Sequence, residues 1–293
     1  MQTNNNFDKI QWDAHFKTIH LSDKLFLNFR SFIYNRLGIN IQSVKKMMLQ
    51  ARLSKRLKHL NMKSYEEYYN YLTSDNGLAK ELPNLINVVT TNKTDFFREP
   101  KHFDFLINKI LPEYYHKNMN QIFRIWSAGC STGAEPYTMA IVLKEFSHKN
   151  NRFKFLIHST DISTKVLEIA KYAIYDHEMV DPIPIELRKK YLLKRKNEKN
   201  PKQIRMSPEI RNCVQFQRLN LMDNDYNIKT PMDVIFCRNV IIYFDKKTQE
   251  CVVNRLCQYL KPNGYLFMGH SESLHMIDAP IKNISSTVYK KIG

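Results

Sequence analysis

The sequence predicts an α/β fold in which a parallel sheet follows an all-helical segment. Three observations predict it. From about residue 20 to 90, apolar residues recur at spacings of three and four. After about residue 120, short apolar runs alternate with helical stretches, the pattern of a parallel sheet. Between these regions, Ile-Phe-Arg-Ile-Trp-Ser-Ala at 122–128 reads as a strand. It runs through Gly129-Cys130-Ser131-Thr132-Gly133 into Ala134-Glu135-Pro136 and the apolar Tyr-Thr-Met-Ala-Ile-Val-Leu. The chain has only 7 glycines in 293 residues, and two of them sit in this loop. Glycine stands where a backbone turns sharply or lies close to something, and the helix start that follows offers unpaired N–H groups.

The helical segment divides into four pieces. Ser22 caps a first helix whose inward positions are Leu25, Phe26, Phe29, Phe32, Ile33 and Leu37, and Gly38 stops it. A second helix covers 43–60, with Val44, Met47, Met48, Ala51 and Leu57 expected inward. Its polar positions are Lys45, Lys46, Arg52, Lys55, Arg56 and Lys58. Arg52 and Arg56 are four apart and share a face, which is either a solvated surface or a docking ridge for an acidic helix. A third helix covers 65–72, and an amphipathic segment covers 78–89.

Strands are expected at 122–128, 153–159, 214–219, 234–237, 265–268 and 287–291. Helices are expected near 136–146, 165–170, 186–193 and 248–259. The basic, aperiodic stretch at 194–213 reads as an inserted hairpin or small subdomain. The domains are then 1–90, helical with a linker, and 91–293, carrying the sheet.

Composition narrows the class. Hydrophobic residues make up 43% and charged residues 25%, which suits a globular chain with a real core. No secretory pattern opens the sequence, and no apolar run is long enough for a bilayer, so no membrane insertion is expected. The cysteines, Cys130, Cys213, Cys237, Cys251 and Cys257, are odd in number and form no C-x-x-C pair. This argues against a disulfide framework and a zinc site and for a cytoplasmic home. A net charge of +17 favours an acidic partner. No helix-turn-helix, zinc-finger or RNP pattern appears, so nucleic acid is not expected as that partner.

Three readings fit the glycine loop. It is a nucleotide-type pocket at a strand's carboxyl end, a G-x-S-x-G nucleophile elbow centred on Ser131, or a turn that packs a helix on a sheet. Asp161, at the end of the next strand, suits a ribose diol, or caps the following helix. An elbow enzyme wants an acid and a histidine downstream, and His270 with Asp233 or Asp245 could serve. No His-Gly-Gly-Gly-like oxyanion segment lies upstream.

Further blocks extend the pattern: Thr90 to Glu99, Cys237 to Asp245, and Leu260 to Ser273. With Trp126 to Tyr137 and Ser159 to Ile162, they resemble, in order, the CheR-type chemoreceptor methyltransferases. The resemblance runs from about residue 25 to 290. It implies a Rossmann-like methyltransferase domain that uses S-adenosylmethionine, a helical N-terminal domain and a small inserted antiparallel β-subdomain. It implies cofactor contacts from Asn92, Thr94, Arg98, Glu135, Asp161, Asn220, Leu221, Cys237 and Arg238. Tyr243 is placed beside the reacting methyl group, and Arg98 supplies positive charge for a carboxylate. The chain departs from the family at Ala134, where a first acid is frequent, and at Gly129-Cys130, where alanines are.

The implied reaction esterifies glutamate side chains on the cytoplasmic helical domain of chemotaxis receptors. A glutamate is already a carboxylate at neutral pH, its reference pKa being about 4.3. The chemistry therefore asks for no general base and no metal, only positioning. The basic ridge of Arg52 and Arg56 would dock the acidic receptor helices. Nothing demands more than a monomer. Two other functions compete: a binding module that senses the cofactor without turnover, and a nucleic-acid methyltransferase. The latter usually carries an Asp/Asn-Pro-Pro-aromatic block where this chain has Arg238-Asn239-Val240-Ile241.

Overall fold

The computed structural model describes residues 19–118, 120–194 and 202–292. The chain divides into two compact units, Met1–Thr91 and Asn92–Gly293.

The first unit holds α1 (Asp23–Leu37), α2 (Lys46–Leu60), α3 (Tyr65–Thr73) and α4 (Asp75–Val89). Ser22 Oγ caps α1 through Leu25 N, and Gly38, at φ 71°, ends it. Phe29, Ile33, Leu53, Leu57, Tyr68, Leu72 and Leu85 form a core closed to solvent.

Helix α2 lies differently from the sequence expectation. Its buried residues are Leu49, Leu53 and Leu57, whereas Val44 is 86% and Met47 64% exposed. The helix carries two apolar stripes, and the leucine stripe won the interior. At about 100° per residue, Arg56 points about 20° and Arg52 about 60° from the direction of Leu49. Both arginines therefore sit at the margin of the buried face. Arg56 Nε and Nη2 donate to Glu81 Oε1 and Oε2 at 2.7 and 2.8 Å, and Tyr68 Oη donates to the same carboxylate at 2.9 Å. Arg52 donates to the carbonyls of Val89 and Thr90 and to Thr91 Oγ1. The outward face of α2 is Met47, Met48, Ala51 and Lys55, and Val44 lies in the short 3-10 turn Ser43–Lys45 just before it.

The second unit is built on a seven-stranded sheet. In chain order its strands are β1 (Ile122–Ala128), β2 (Lys154–Asp161), β6 (Val214–Arg218), β7 (Met232–Cys237), β8 (Leu260–Met268), β9 (Ile281–Ser285) and β10 (Val288–Lys291). They lie in the order β6-β2-β1-β7-β8-β10-β9. The first five are mutually parallel, and β10 is antiparallel to both its neighbours. Helices α7 (Ala134–Lys149), α8 (Thr164–Tyr172) and α11 (Lys246–Gln258) are among those that pack on the sheet. Strands β1 and β7 read as nearly continuous apolar runs because helices cover both faces. The chain winds from β1 one way to β2 and β6, and the other way to β7 and β8. The strand order thus reverses between β1 and β7, and in doubly wound sheets ligands bind at the carboxyl ends of the strands at such a switch point.

Three parts of this unit escaped the sequence reading. Residues 100–117 form α5 (Pro100–Phe105) and α6 (Leu111–Lys117), joined by a π-helical Leu106–Ile110. The π turn and Pro112 break the 3.6-residue period that would have marked a helix. Strand β9 is an edge strand with both faces partly exposed, so it shows no alternation. The inserted subdomain is larger than 194–213. It is a three-stranded antiparallel sheet of β3 (Ile174–Asp176), β4 (Leu192–Lys194) and β5 (Gln203–Met206), and also takes in α9 (Ile185–Tyr191). Strands of three residues are too short to show a period. Residues 195–201 of the expected insertion lie outside the described residues. Short α10 (Pro208–Arg211) leads back to β6. Among the described residues, no helix is long and apolar enough to cross a membrane.

Glu81 is 2% exposed and depends on its guanidinium partner. Replacing Arg56 with Ala leaves a buried carboxylate unpaired, at an expected cost of about 3–5 kcal/mol in urea unfolding. A loss below about 1 kcal/mol, the worth of a surface pair, would show that Glu81 finds water instead.

Candidate active site

The loop after β1 is knitted to β2. The N–H groups of Gly129 and Cys130 both donate to Thr160 O, at 2.8 and 2.9 Å. Gly129 has φ +90°, and a Cβ there would lie 2.4 Å from Val240 Cγ2. Only glycine lets the loops after β1 and β7 approach so closely. Ser131 N donates to Asp161 Oδ2 at 2.8 Å, and Ser131 Oγ donates to Asn92 O at 2.7 Å. A hydroxyl spent on a carbonyl has no base, which removes the elbow reading. Its supposed partners are engaged elsewhere. Asp245 Oδ1 caps α11 through Thr248 N at 2.8 Å. Asp233, near the start of β7, pairs with Lys261 at 2.7 Å.

Asp161 ends β2 with 9% exposure, and its other oxygen accepts Ser163 N at 2.9 Å. Burial pushes its carboxyl above the ordinary value, while the N–H groups of Ser163, Ser131 and Ile162 pull it back. Glu135, at the start of α7, accepts Ser127 Oγ at 2.6 Å and lies 3.1 Å from Arg238 Nε. Burial raises its pKa too, against the attraction of Arg238 and the Ser127 hydrogen bond.

Arg238 follows β7 and is the centre of the charged cluster. Its Nη2 donates to Arg98 O at 2.6 Å, and its guanidinium lies 5.5 Å from the ring centroids of both Phe103 and Phe236. Glu99 Oε2 stands 3.7 Å from Arg238 Nε and 3.3 Å from His102 Nδ1. Glu99 Oε2 and Arg238 Nε are both buried without a hydrogen-bond partner. Arg98 itself donates to Lys93 O at 3.3 Å. It sits between Phe97 and Glu99, both left-handed at φ 52° and 55°.

The remaining expected residues are distributed around the crevice. Asn92 and Thr94 are half-buried in the strap before α5. Asn220 and Leu221 follow β6, where Asn220 Oδ1 accepts Met222 N at 3.0 Å. Cys237 ends β7 with its side chain in the core beside Trp126 and Val252, so it offers a ligand only its main chain. Tyr243 ends a short 3-10 turn, Ile241–Tyr243, and is partly exposed.

Sequence reasoning assigned no role to Glu99, His102, Asn239 or Glu272, although three of them lie in quoted blocks. It cast His270 only as a hydrolase base. Glu99, His102 and His270 bring ligand atoms within 4.8 Å of one another. Arg238 Nη1 lies 3.4 Å from His102 Nδ1, so a guanidinium already supplies the positive charge a cation would bring.

A doubly wound sheet with acids after β1 and on β2, set at its switch point, is the architecture of a nucleotide-cofactor enzyme. Here it is that of an S-adenosylmethionine-dependent methyltransferase. Residues 92–290 match the CheR methyltransferase, SAM binding domain, and residues 24–90 match the CheR methyltransferase, all-alpha domain. The chain is 42% identical over 263 residues to the chemotaxis protein methyltransferase of Borreliella burgdorferi, covering 88% of this chain and 91% of that one. It is 37% identical over 270 residues to that of Escherichia coli, covering 92% and 91% respectively. Chemotaxis protein methyltransferase 2 of Pseudomonas aeruginosa is 36% identical over 270 residues, covering 92% and 94%. The chain belongs to the CheR methyltransferase family.

The residues suit the cofactor that this domain binds. S-adenosylmethionine carries an ammonium, a carboxylate, a sulfonium and a ribose diol. The buried carboxylate of Asp161, the partly buried ones of Glu99 and Glu135 and the buried guanidinium of Arg238 offer both signs of charge, and Glu99 Oε2 and Arg238 Nε make ion pairs but no hydrogen bond.

His102 is 2% exposed, and burial and the neighbouring Arg238 lower its pKa to about 4, against attraction from Glu99. The unfolded chain takes up a proton near pH 6.5 that the folded chain refuses until about pH 4. Stability from this group is therefore complete above about pH 6.5 and falls by roughly 3 kcal/mol as the pH drops to 4. Denaturation midpoints between pH 7 and 4 should fall more steeply for the wild type than for His102→Gln, and parallel curves would contradict a neutral His102.

Proposed function

We propose that this protein transfers the methyl group of S-adenosylmethionine to glutamate side-chain carboxylates on the helical cytoplasmic domain of chemotaxis receptors. One observation carries the reading: Asp161, Glu135, Arg238 and Arg98 converge at the crevice of a domain that matches the family's cofactor-binding domain. The names of the relatives support chemotaxis as the setting.

The bound cofactor supplies an electrophilic sulfonium methyl. A glutamate side chain is already a carboxylate at neutral pH, so the chain's residues would need only to orient it toward that methyl and would move no proton. The protein's work is orientation. Asp161 faces the ribose, Glu135 and Arg238 hold the charged amino-acid end, and Arg98 and Tyr243 align the incoming carboxylate. Asn92, Thr94, Asn220, Leu221 and the main chain of Cys237 complete the cofactor's surroundings.

Docking of the substrate helix is assigned to α2, with the arginines in unequal roles. Glu81 neutralises the charge of Arg56. Arg52 is bonded to carbonyls, which leave its charge uncompensated. Arg52 and Lys55, beside Val44, Met47 and Met48, suit an amphipathic helix with acidic flanks.

Isothermal titration with S-adenosylhomocysteine and labelled-methyl transfer to receptor fragments test the reading. Asp161→Ala should weaken binding by at least ~10-fold, the worth of a charged hydrogen bond. Tyr243→Phe should keep binding and lose roughly 10- to 100-fold in kcat. Absence of binding would sink the methyltransferase reading, and an unchanged kcat would remove Tyr243 from it. Arg52→Glu should raise the receptor KM and flatten its dependence on salt, whereas an unmoved KM would return α2 to a solvated surface.

A further inference from the structure

The loop that presents Tyr243 is held by a residue from the segment that follows β8. After β7 ends, the chain runs Arg238-Asn239-Val240 into the turn Ile241–Tyr243. Three of its N–H groups converge on the carboxylate of Glu272. Asn239 N reaches Oε2 at 2.6 Å, Val240 N reaches Oε1 at 2.8 Å, and Ile242 N reaches Oε1 at 3.3 Å. A fourth, Gly269 N just after β8, reaches Oε2 at 2.7 Å. Asn239 adopts φ 60°, which helps turn successive N–H groups toward one anion. At Gly269 a Cβ would fall 2.8 Å from Glu272 Oε2 and 2.5 Å from Asn239 Nδ2, so the carboxylate fits because that residue is glycine.

Glu272 is 3% exposed, and no ion pair among the described residues includes it. A buried carboxylate without a cation is tolerated only when hydrogen bonds replace water, and here main-chain dipoles do so. The location gives the clamp its meaning. Strands β7 and β8 are already joined by their ladder, up to the pair Cys237 and Met268. The clamp begins where the ladder ends, so it adds order to the loop rather than to the sheet. The far side of the turn is closed by Gln249 Nε2, which donates to Ile241 O and Phe244 O at 3.0 Å each.

We propose that Glu272 is a positioning residue for methyl transfer: its carboxylate fixes the backbone of residues 239–243 and so sets where Tyr243 meets the reacting carboxylate. The proposal rests on the glutamate-methylation reading and deepens it.

Glu272→Gln tests it, because an amide turns donors toward main-chain donors. The expected result is a fall in kcat on receptor fragments of the order of 10²-fold, the cost of about 1 Å of misplacement. Affinity for S-adenosylhomocysteine and the receptor KM should change little. Amide hydrogen exchange should quicken at Asn239, Val240, Ile242 and Gly269 but not in β7. In a Tyr243→Phe background, the same substitution should cost far less, since both changes remove one effect.

A retained kcat with retained binding would overturn the proposal, as would an undiminished loss in the Tyr243→Phe background. If Glu272→Gln does not fold, Glu272→Asp decides. Its shorter carboxylate cannot span both oxygens' partners, so an intermediate kcat is expected and a wild-type kcat overturns the idea. Wild-type protein that binds S-adenosylhomocysteine yet never methylates receptor fragments would sink the substrate reading first, and the proposal with it.

Discussion

One buried guanidinium organises the crevice. Arg238 faces Glu135 from α7, Glu99 from the start of α5, and the carbonyl of Arg98. Its stacking on Phe103 and Phe236 anchors it to the sheet and to α5. A strap with no regular structure, residues 92–99, is thereby tied to the carboxyl ends of β1 and β7. The cluster mixes two acids, one permanent cation and a neutral histidine within a few ångströms. Such an arrangement is a poor way to gain stability, because desolvation offsets most of the attraction. It is a good way to hold charged groups in fixed positions, largely out of water.

Backbone strain gathers at the same place. Phe97, Glu99, Ser131 and Asn239 all have positive φ without being glycine. Each such residue costs on the order of 1 kcal/mol and persists only where its surroundings insist on it. Here the surroundings are visible. Thr138 Oγ1 accepts Phe97 N, Asp161 holds Ser131 N, and Glu272 holds Asn239 N. Side chains from neighbouring elements thus fix the backbone of three separate loops. The same logic gives Asp161 a structural task beside its proposed one, since it shapes the glycine loop above it.

Much of this was legible in the sequence, and the limits have physical causes. Strand β1 was read at its observed bounds because both its faces are largely buried and its run is mostly apolar, broken only by Arg124 and Ser127. Strand β8 was read five residues short at its start. Lys261-Pro262-Asn263-Gly264 looks like a turn, yet it stays in the strand through an irregular register with β7. In α2 the pattern allowed two inward faces, and packing against the other helices chose between them. The residues expected around the cofactor rested on motifs that are contiguous in sequence. The clamp of Glu272 on Asn239, Val240 and Ile242 spans 30 to 33 residues, and no spacing rule connects its ends. His102 was equally hidden, because its partners Arg238 and Thr287 lie 136 and 185 residues away.

The net charge of +17 acquires a physical reading from the bonding of the arginines. Many donate to main-chain carbonyls rather than to carboxylates: Arg52 to Val89, Arg124 to Ile122, Arg205 to Tyr172, Arg218 to Ile162 and Arg255 to Leu221. A carbonyl fixes the guanidinium and ties down the chain but leaves its charge intact. These residues therefore secure loops and helix ends while sustaining a positive field outside the molecule. A counted surplus of cations is not in itself a docking patch, as Arg56 shows by spending its charge on Glu81. The carbonyl-bound arginines and the exposed lysines together leave a net positive field. Such a field raises the encounter rate with an acidic partner, while the apolar and strained elements of the site decide what reacts.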